Sequence, residues 1–359
     1  MNNLEYRVPS LFTGEDFIIP EEHRISPRDD GFLSSSPWQL MDYEYELELK
    51  GNAITDYKDQ FYRNKMEYSL FWSHEDEKIH LAFHLRRSYR KFPIKTSVLE
   101  RPEIFQRAKE IVDDLNARGE EARKYQSILL RCNQAGQVSG GLLEKGQPHP
   151  VFPNLTDTIL GYQYSYSPNG FFQINLPVYE MALTEIKKHV TTDQVLDLYA
   201  GVGTIGLSVA RDHQLTLVET NAAAYAELEK NCGSVARVTA SEGDHRRAQQ
   251  SEHVGGGEAG RTRARIRPVL SNSEDALDFI TSTTTVILDP PRAGCHPRLL
   301  EKLLSATPPV IIYLSCNPVT QARDLKILNK KYRPVLTQPY NFFPRTPHLE
   351  NLVVLHPKN

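Results

Sequence analysis

Four short, continuous apolar runs recur in the second half of the chain: Val195–Tyr199, Leu215–Val218, Thr285–Leu288 and Val310–Leu314. None alternates with polar residues, so each reads as a strand buried on both faces. Helical stretches separate them. Strands of this kind alternating with helices predict an α/β fold with a doubly wound, mostly parallel sheet. A further strand is expected at Pro268–Leu270, and Asn351–Leu355 (NLVVL) is expected to add an edge strand after Tyr332–Thr337.

The rhythm differs before residue 175. Tyr43–Leu49 (YEYELEL) alternates so that Tyr43, Tyr45, Leu47 and Leu49 share one face, which predicts a strand. Lys78–Leu85 and Gln126–Arg131 predict two more, and an amphipathic helix is expected over Glu103–Arg118, between Pro102 and Gly119. Residues 41–175 therefore read as an α+β domain with antiparallel sheet, and residues 176–359 as the wound-sheet domain. The first 40 residues, with Pro9, Pro20, Pro27, Pro37 and a Ser34–Ser36 cluster, read as loosely ordered. Gly243–Arg263 holds three consecutive glycines, several arginines and almost no large apolar residue. Such a segment cannot bury enough surface to offset its ordering entropy, so it reads as a disordered insert, either a solvated loop or a basic arm.

Composition narrows the class. The 42 Lys plus Arg against 45 Asp plus Glu leave a net charge of −3, so bulk charge announces no polyanion. Local basic stretches, Arg86–Lys95 and Lys124–Arg131, are either phosphate contacts or solvated faces. No run of about 18 apolar residues is present, so no membrane-spanning helix is expected. The N-terminal stretch has neither the apolar core of a secretory leader nor the acid-poor character of a transit peptide, and a cytoplasmic location is expected. Cys132, Cys232, Cys295 and Cys316 are scattered without a CxxC pair, which argues against zinc ribbons, iron–sulfur clusters and a disulfide framework. No metal is expected.

Three stretches carry chemistry. In VLDLYAGVGTI a strand runs into Gly201-Val202-Gly203 and then a helix from Thr204 to Ala210, a turn that lets a ligand approach the backbone. Glu219 stands 18 residues after Gly201, at the end of the next strand. There it either accepts hydrogen bonds from both hydroxyls of a ribose or serves as a helix-capping group before Asn221. Asp197 either faces the amino end of such a ligand or braces the glycine turn. In VILDPPRAG a strand ends at Asp289, and two prolines stiffen its exit above the edge where open α/β sheets bind ligands.

Cys316 differs from the other cysteines. In VIIYLSCNP it follows a buried strand directly and precedes Asn317, a good N-cap, and Pro318, a good first helical residue. A thiol beside a helix N-terminus is favoured as the thiolate, the nucleophilic form. Downstream, His348 and Glu350 alternate on an extended run, and either is a candidate general base.

Together these motifs resemble the RNA uridine-C5 methyltransferases, which form 5-methyluridine in tRNA T-loops and large-subunit rRNA. The matching stretches are YRNKMEYS (Tyr62–Ser69), FFQIN (Phe171–Asn175), LDLYAGVGTIGL (Leu196–Leu207), LDPPRAG (Leu288–Gly294), YLSCNP (Tyr313–Pro318) and TPHLE (Thr346–Glu350). The resemblance implies a class I S-adenosylmethionine-dependent fold preceded by an RNA-contacting α+β domain. It implies Cys316 as nucleophile, Glu350 as base, and Gln173, Tyr199, Thr204, Glu219 and Asp289 as contacts to S-adenosylmethionine, with Gly201 in the cofactor turn. Arg292 is implied to lie near the target base, and Tyr68 near the flipped nucleotide. The cysteine cluster that holds an iron–sulfur cluster in many rRNA-directed members is missing, as is an obvious small β-barrel module. Both departures lean towards tRNA over 23S rRNA. The glycine-rich insert is not part of the family pattern.

The expected reaction is methylation of uridine C5 in RNA through an adduct between Cys316 and C6 of the base. RNA is the expected partner, and no obligate protein partner is evident. Two alternatives stand beside it. An amino-group methyltransferase would place an aromatic residue after the acidic-Pro-Pro turn, where this chain has Arg292, and would have no use for the thiol. A non-catalytic RNA-binding protein on the same fold would not need both Cys316 and Glu350.

Overall fold

The computed structural model describes residues 6–247 and 266–358, leaving aside the side chains of 235–247. The apolar runs form a seven-stranded sheet from β1 (Gln194–Leu198), β2 (Gln214–Glu219), β3 (Ile266–Leu270), β4 (Thr284–Leu288), β5 (Val310–Ser315), β6 (Tyr332–Tyr340) and β7 (Glu350–Pro357). Their order is β3-β2-β1-β4-β5-β7-β6. The five strands from β3 to β5 pair in parallel. Helices α1 (Thr204–Val209), α2 (Ala222–Arg247), α3 (Pro297–Ala306) and α4 (Pro318–Leu328) follow β1, β2, β4 and β5. Leu196, Leu198, Val286, Leu288, Ile311 and Tyr313 pack with Leu299, Leu300 and Leu303 of α3 in one buried cluster. This is the doubly wound sheet that continuous apolar strands require.

The last two strands differ from expectation. β7 lies between β5 and β6, so the edge strand is β6. Leu352–Leu355 are all buried, whereas β6 exposes Arg333, Pro334 and Val335. Pro334 and Pro339 also withhold ladder N–H groups from β6, which suits an edge and not the interior.

The chain divides into two units, but not at a single boundary near residue 175. One comprises Met1–Asp157, Tyr166–Tyr179 and Gln338–Asn351; the other comprises Thr158–Ser165, Glu180–Thr337 and Leu352–Asn359. In the first, five antiparallel strands run in the order Lys91–Pro93, Lys78–His84, Lys65–Ser73, Tyr125–Cys132, Val138–Glu144. The helix Pro102–Ala117 covers them with Ile104, Ala108, Ile111, Val112 and Leu115, the spacing of one helical face.

Two expectations fail at the N-terminal end. Tyr43–Leu49 is an α-helix. Its burial peaks at Glu46 and Lys50, four residues apart, and not at the alternate apolar residues. Asp42 caps it by accepting from the Tyr45 N–H at 2.8 Å, and Glu46 pairs with Lys50 at 2.9 Å within the fold. Partners far along the chain therefore override a period-two pattern. Residues 6–42 are not loosely ordered either. From Tyr6 onward a two-stranded hairpin and three 3₁₀ turns enclose Val8, Ile19, Trp38, Leu40 and Met41. The Trp38 indole donates to the Pro9 carbonyl at 2.9 Å. Of the expected insert, Gly243–Arg247 end α2, and the remainder lies outside the described residues. Among the described residues no helix is long and apolar enough to cross a membrane.

Candidate active site

The C-terminal ends of β1, β2, β4 and β5 gather most of the expected site residues on one edge of the second unit. β1 leads into a turn in which Gly203 adopts φ +89° and caps α1. A Cβ there would come within 2.5 Å of Leu228, so only glycine fits. Asp197, fully buried in β1, accepts the Gly206 N–H at 2.8 Å through Oδ2. It braces the glycine turn, while its Oδ1 has no partner among the described residues. Desolvation raises its carboxyl to about 7, with the Gly206 bond opposing and the charges of Asp289 and Glu219 adding. Burial pushes the carboxyl of Asp289 up as well.

A buried carboxyl with a raised pKa makes a pH prediction. Unfolded, Asp197 ionises near the ordinary carboxyl value of 3.8; folded, it holds its proton to about 7. The folded state therefore binds more protons across that window, and wild type loses stability as pH rises through it. Asp197→Asn removes that slope. Melting curves are expected to show the variant gaining on wild type from pH 4 to pH 8, by up to about 4 kcal/mol. A difference that stays constant with pH would refute this assignment.

Glu219 ends β2 and supplies the capping alternative, binding backbone on both sides of the strand end. Its Oε2 accepts the Gly201 N–H at 2.8 Å and its Oε1 accepts the Asn221 N–H at 2.7 Å. Asn221 in turn accepts from the N–H groups of Ala223 and Ala224 at the start of α2. Each carboxylate oxygen keeps a further acceptor direction for a ligand hydroxyl. Thr204 opens α1 and is buried. A cleft of about 770 Å³ runs past Tyr199, Glu219, Thr220, Ser273, His296 and Arg323. Its volume fits a nucleoside, and of the expected cofactor contacts Tyr199 and Glu219 line it.

Cys316 sits between the last residue of β5 and the Asn317 cap of α4, whose Oδ1 accepts the Val319 N–H at 3.2 Å. It is half-buried and in no disulfide; Cys132, Cys232 and Cys295 are buried. Burial pushes those three thiols up, to about 11 for Cys132 and about 12 for the other two. The loop carrying Arg292 is fastened to α4. The Arg292 carbonyl accepts from the Asn317 amide at 2.9 Å and the Thr320 hydroxyl at 3.0 Å. Asp324, fully buried, accepts from the Cys295 N–H and the Tyr313 hydroxyl, both at 2.8 Å. Arg323 also donates to the Ala293 carbonyl at 2.9 Å. Sequence reasoning missed this clasp of Asn317, Thr320, Arg323 and Asp324; the polar residues at one-turn spacing after the cysteine were its signal.

The other expected site residues belong to the first unit. Gln173 is buried, and its carbonyl accepts from the Asn64 amide at 2.9 Å. Glu350 opens β7 and is 3% exposed; His348 packs edge-on to Phe343. Tyr68 differs from expectation. Its ring is fully buried, stacked on Phe83 at 5.7 Å, and its hydroxyl donates to Glu100. It is a core residue of the antiparallel sheet and offers no face to a nucleotide. The basic stretches are also partly internal. Arg86 pairs with Asp16 at 2.9 Å, Arg87 donates to the Gly14 carbonyl, and Arg131 is buried beneath Tyr166.

Comparison with known proteins agrees with this geometry. The family model described as tRNA (Uracil-5-)-methyltransferase matches residues 155–358, more than half of the chain. An uncharacterized RNA methyltransferase of Synechocystis sp. is 26% identical over 397 residues, covering 90% of this chain and 80% of the relative. The tRNA (uracil(54)-C(5))-methyltransferase of Pyrococcus horikoshii is 31% identical over 226 residues, covering 62% of this chain and 47% of the relative. Among solved structures, the Pyrococcus abyssi tRNA (uracil-54, C5)-methyltransferase in complex with S-adenosyl-L-homocysteine shares the fold. It has a TM-score of 0.70 and 21% identity, with 96% of this chain and 90% of that chain covered. The resemblance carried by the cysteine, acidic-Pro-Pro and glycine-turn motifs is thereby established. The chain belongs to the tRNA (uracil-5-)-methyltransferase family of S-adenosylmethionine-dependent RNA (uracil-C5)-methyltransferases.

Proposed function

We propose that this enzyme methylates C5 of a uridine in tRNA through a covalent adduct of Cys316, with Glu350 as the base that releases the product. The observation that carries the reading is the half-buried Cys316, seated at the end of β5 on the loop bonded to Arg292. Uracil C5 is a poor nucleophile. Addition of the Cys316 thiolate to C6 turns C5 into an enolate-type carbon able to take a methyl group. S-adenosylmethionine, when bound, supplies that methyl as an electrophile on a sulfonium. Tyr199, Gly201, Thr204, Glu219, Asp289 and Gln173 are proposed to hold it. Arg292 orients the uracil, which leaves its stack to reach the thiol. Removal of the C5 proton by Glu350 then allows the Cys316–C6 bond to break.

The choice of tRNA over 23S rRNA rests on the relatives named for uracil 54 of tRNA. It is tested by mass spectrometry of 5-methyluridine in separated tRNA and 23S rRNA from cells with and without the gene. Loss confined to tRNA is the expected result; loss confined to 23S rRNA would refute the substrate assignment and leave the chemistry standing.

A further inference from the structure

Two turns of the first unit are fastened to each other. One joins the strands Arg7–Pro9 and Asp16–Ile18; the other, Leu85–Arg90, joins Lys78–His84 to Lys91–Pro93. Arg86 pairs with Asp16 at 2.9 Å, and Arg87 donates to the Gly14 carbonyl at 2.7 Å. The second turn is also closed within itself. The Leu85 N–H donates to the Arg90 carbonyl at 2.8 Å, the Ser88 N–H to the Leu85 carbonyl at 3.0 Å, and the Arg90 N–H to the Ser88 hydroxyl at 3.0 Å. Arg87 holds φ +58°, a left-handed conformation that a residue with a long side chain adopts only under constraint. The paired turns are a fixed platform and not a slack connection. Tyr89 is 100% exposed on it, and Phe12, in the turn that Arg87 grips, is 55% exposed. One exposed ring on a surface is ordinary; two rings on fastened turns that also carry cations are not. Arg87 keeps its side chain 62% exposed while bound, and Arg90 is exposed as well. Arg86, Arg87, Arg90 and Lys91 outnumber Glu15 and Asp16, so the platform is net positive on a chain of net charge −3.

We propose that this platform docks an unpaired stretch of the RNA substrate, with Tyr89 stacking on a base and Arg87 and Arg90 meeting the adjoining phosphates. Rings that take base faces and cations that follow the backbone hold single strands without regard to sequence. A paired stem keeps its base faces inside its own stack and can use only the cations. The platform is held in place before the ligand arrives, so little freedom is lost on binding. The basic stretch thereby divides by residue: Arg86 serves the fold and Arg90 the substrate. That the partner is RNA rests on the preceding reading.

The test is binding of the full chain, by fluorescence anisotropy, to an unstructured single-stranded RNA of about 12 nucleotides and to a blunt RNA duplex of the same length. Tyr89→Ala is expected to weaken single-strand binding about tenfold and to leave duplex binding and the salt dependence unchanged, because it removes a stacking face and no charge. Tyr89→Trp is expected to retain the affinity, since any flat ring serves. Phe12→Ala is expected to act in the same direction as Tyr89→Ala. Arg90→Gln is expected to reduce the slope of log affinity against log salt by about 0.7, the share of one phosphate on a single strand. Melting temperatures are expected to stay at the wild-type value, as all of these side chains are exposed. Tyr89→Ala and Arg90→Gln that both bind as wild type does overturn the proposal. So does a Tyr89→Ala loss of equal size on the duplex, or a Tyr89→Trp variant as weak as Tyr89→Ala. Unaltered RNA binding by these variants, in a protein that forms the Cys316 adduct, refutes the platform alone. The expected binding losses without any adduct refute the covalent reading and leave the platform standing.

Discussion

Cys316→Ala is expected to abolish both turnover and every covalent complex with RNA, whereas Glu350→Gln is expected to abolish turnover and accumulate the complex. The two outcomes separate because they interrupt the reaction at different bonds. Without the thiol, nothing adds to C6, and C5 never becomes able to take a methyl group. With glutamine at 350, addition and methyl transfer are expected to proceed while the C5 proton stays, so that Cys316 is not eliminated. A slow-migrating protein–RNA band on a denaturing gel reads the difference. Wild type is expected to give the same band with RNA carrying 5-fluorouridine, because fluorine does not leave as a cation. Normal turnover by Glu350→Gln would transfer the role to another group, His348 being the next candidate. Methyl transfer to ordinary RNA with no adduct on the fluorinated substrate would refute covalent catalysis outright.

How much of this was legible in the sequence depends on the range of the interactions involved. β1, β2, β4 and β5 announce themselves because strands buried on both faces are apolar at most positions, a local property. The seat of Cys316 between strand and helix was legible for the same reason, since a strand, a cap and Pro318 are consecutive in the chain. Tyr43–Leu49 was misread because its alternation also satisfies a short helix. What decides between them is Glu46 bonding to residues about 300 positions away, which no local pattern contains. The place of β7 inside the sheet is a fact of strand order, to which sequence adjacency is blind, although the prolines of β6 were a readable warning. Tyr68 carries the right motif and lies in the interior, since a motif fixes a position in the chain and not its exposure. The α4 clasp shows the opposite case. Asn317, Thr320 and Asp324 were in plain view, but their partners on the Arg292 loop appear only once β4 and β5 lie side by side.

The misread helix also carries the largest stability effect. Glu46, Lys50, Asn341 and Arg345 are all buried within the first unit. Lys50 donates to Glu46 at 2.9 Å, to Asn341 at 2.8 Å and to the Phe343 carbonyl at 3.1 Å. Glu46 also accepts the backbone N–H of Arg345, whose guanidinium reaches Asp59 and the Met41 carbonyl. The net ties the stretch preceding Glu350 to the helix Tyr43–Leu49. Glu46→Ala leaves an ammonium in the interior without its counter-charge, so denaturant midpoints are expected to fall by the equivalent of about 3–5 kcal/mol at pH 7. The deficit has a predictable pH dependence. Burial already holds Lys50 below its ordinary range, and Glu46 is the main force pulling it back up. Removing Glu46 lowers the folded value further, while the unfolded chain keeps its proton to the ordinary lysine value of 10.5. Across that window the unfolded state of the variant binds more protons, so its stability rises with pH and the deficit narrows towards pH 9–10. A deficit below about 1 kcal/mol, within the range of surface ion pairs, would show that solvent reaches the net. A deficit that does not shrink with pH would place the cost on the bonds Glu46 makes to the Arg345 backbone rather than on the charge of Lys50.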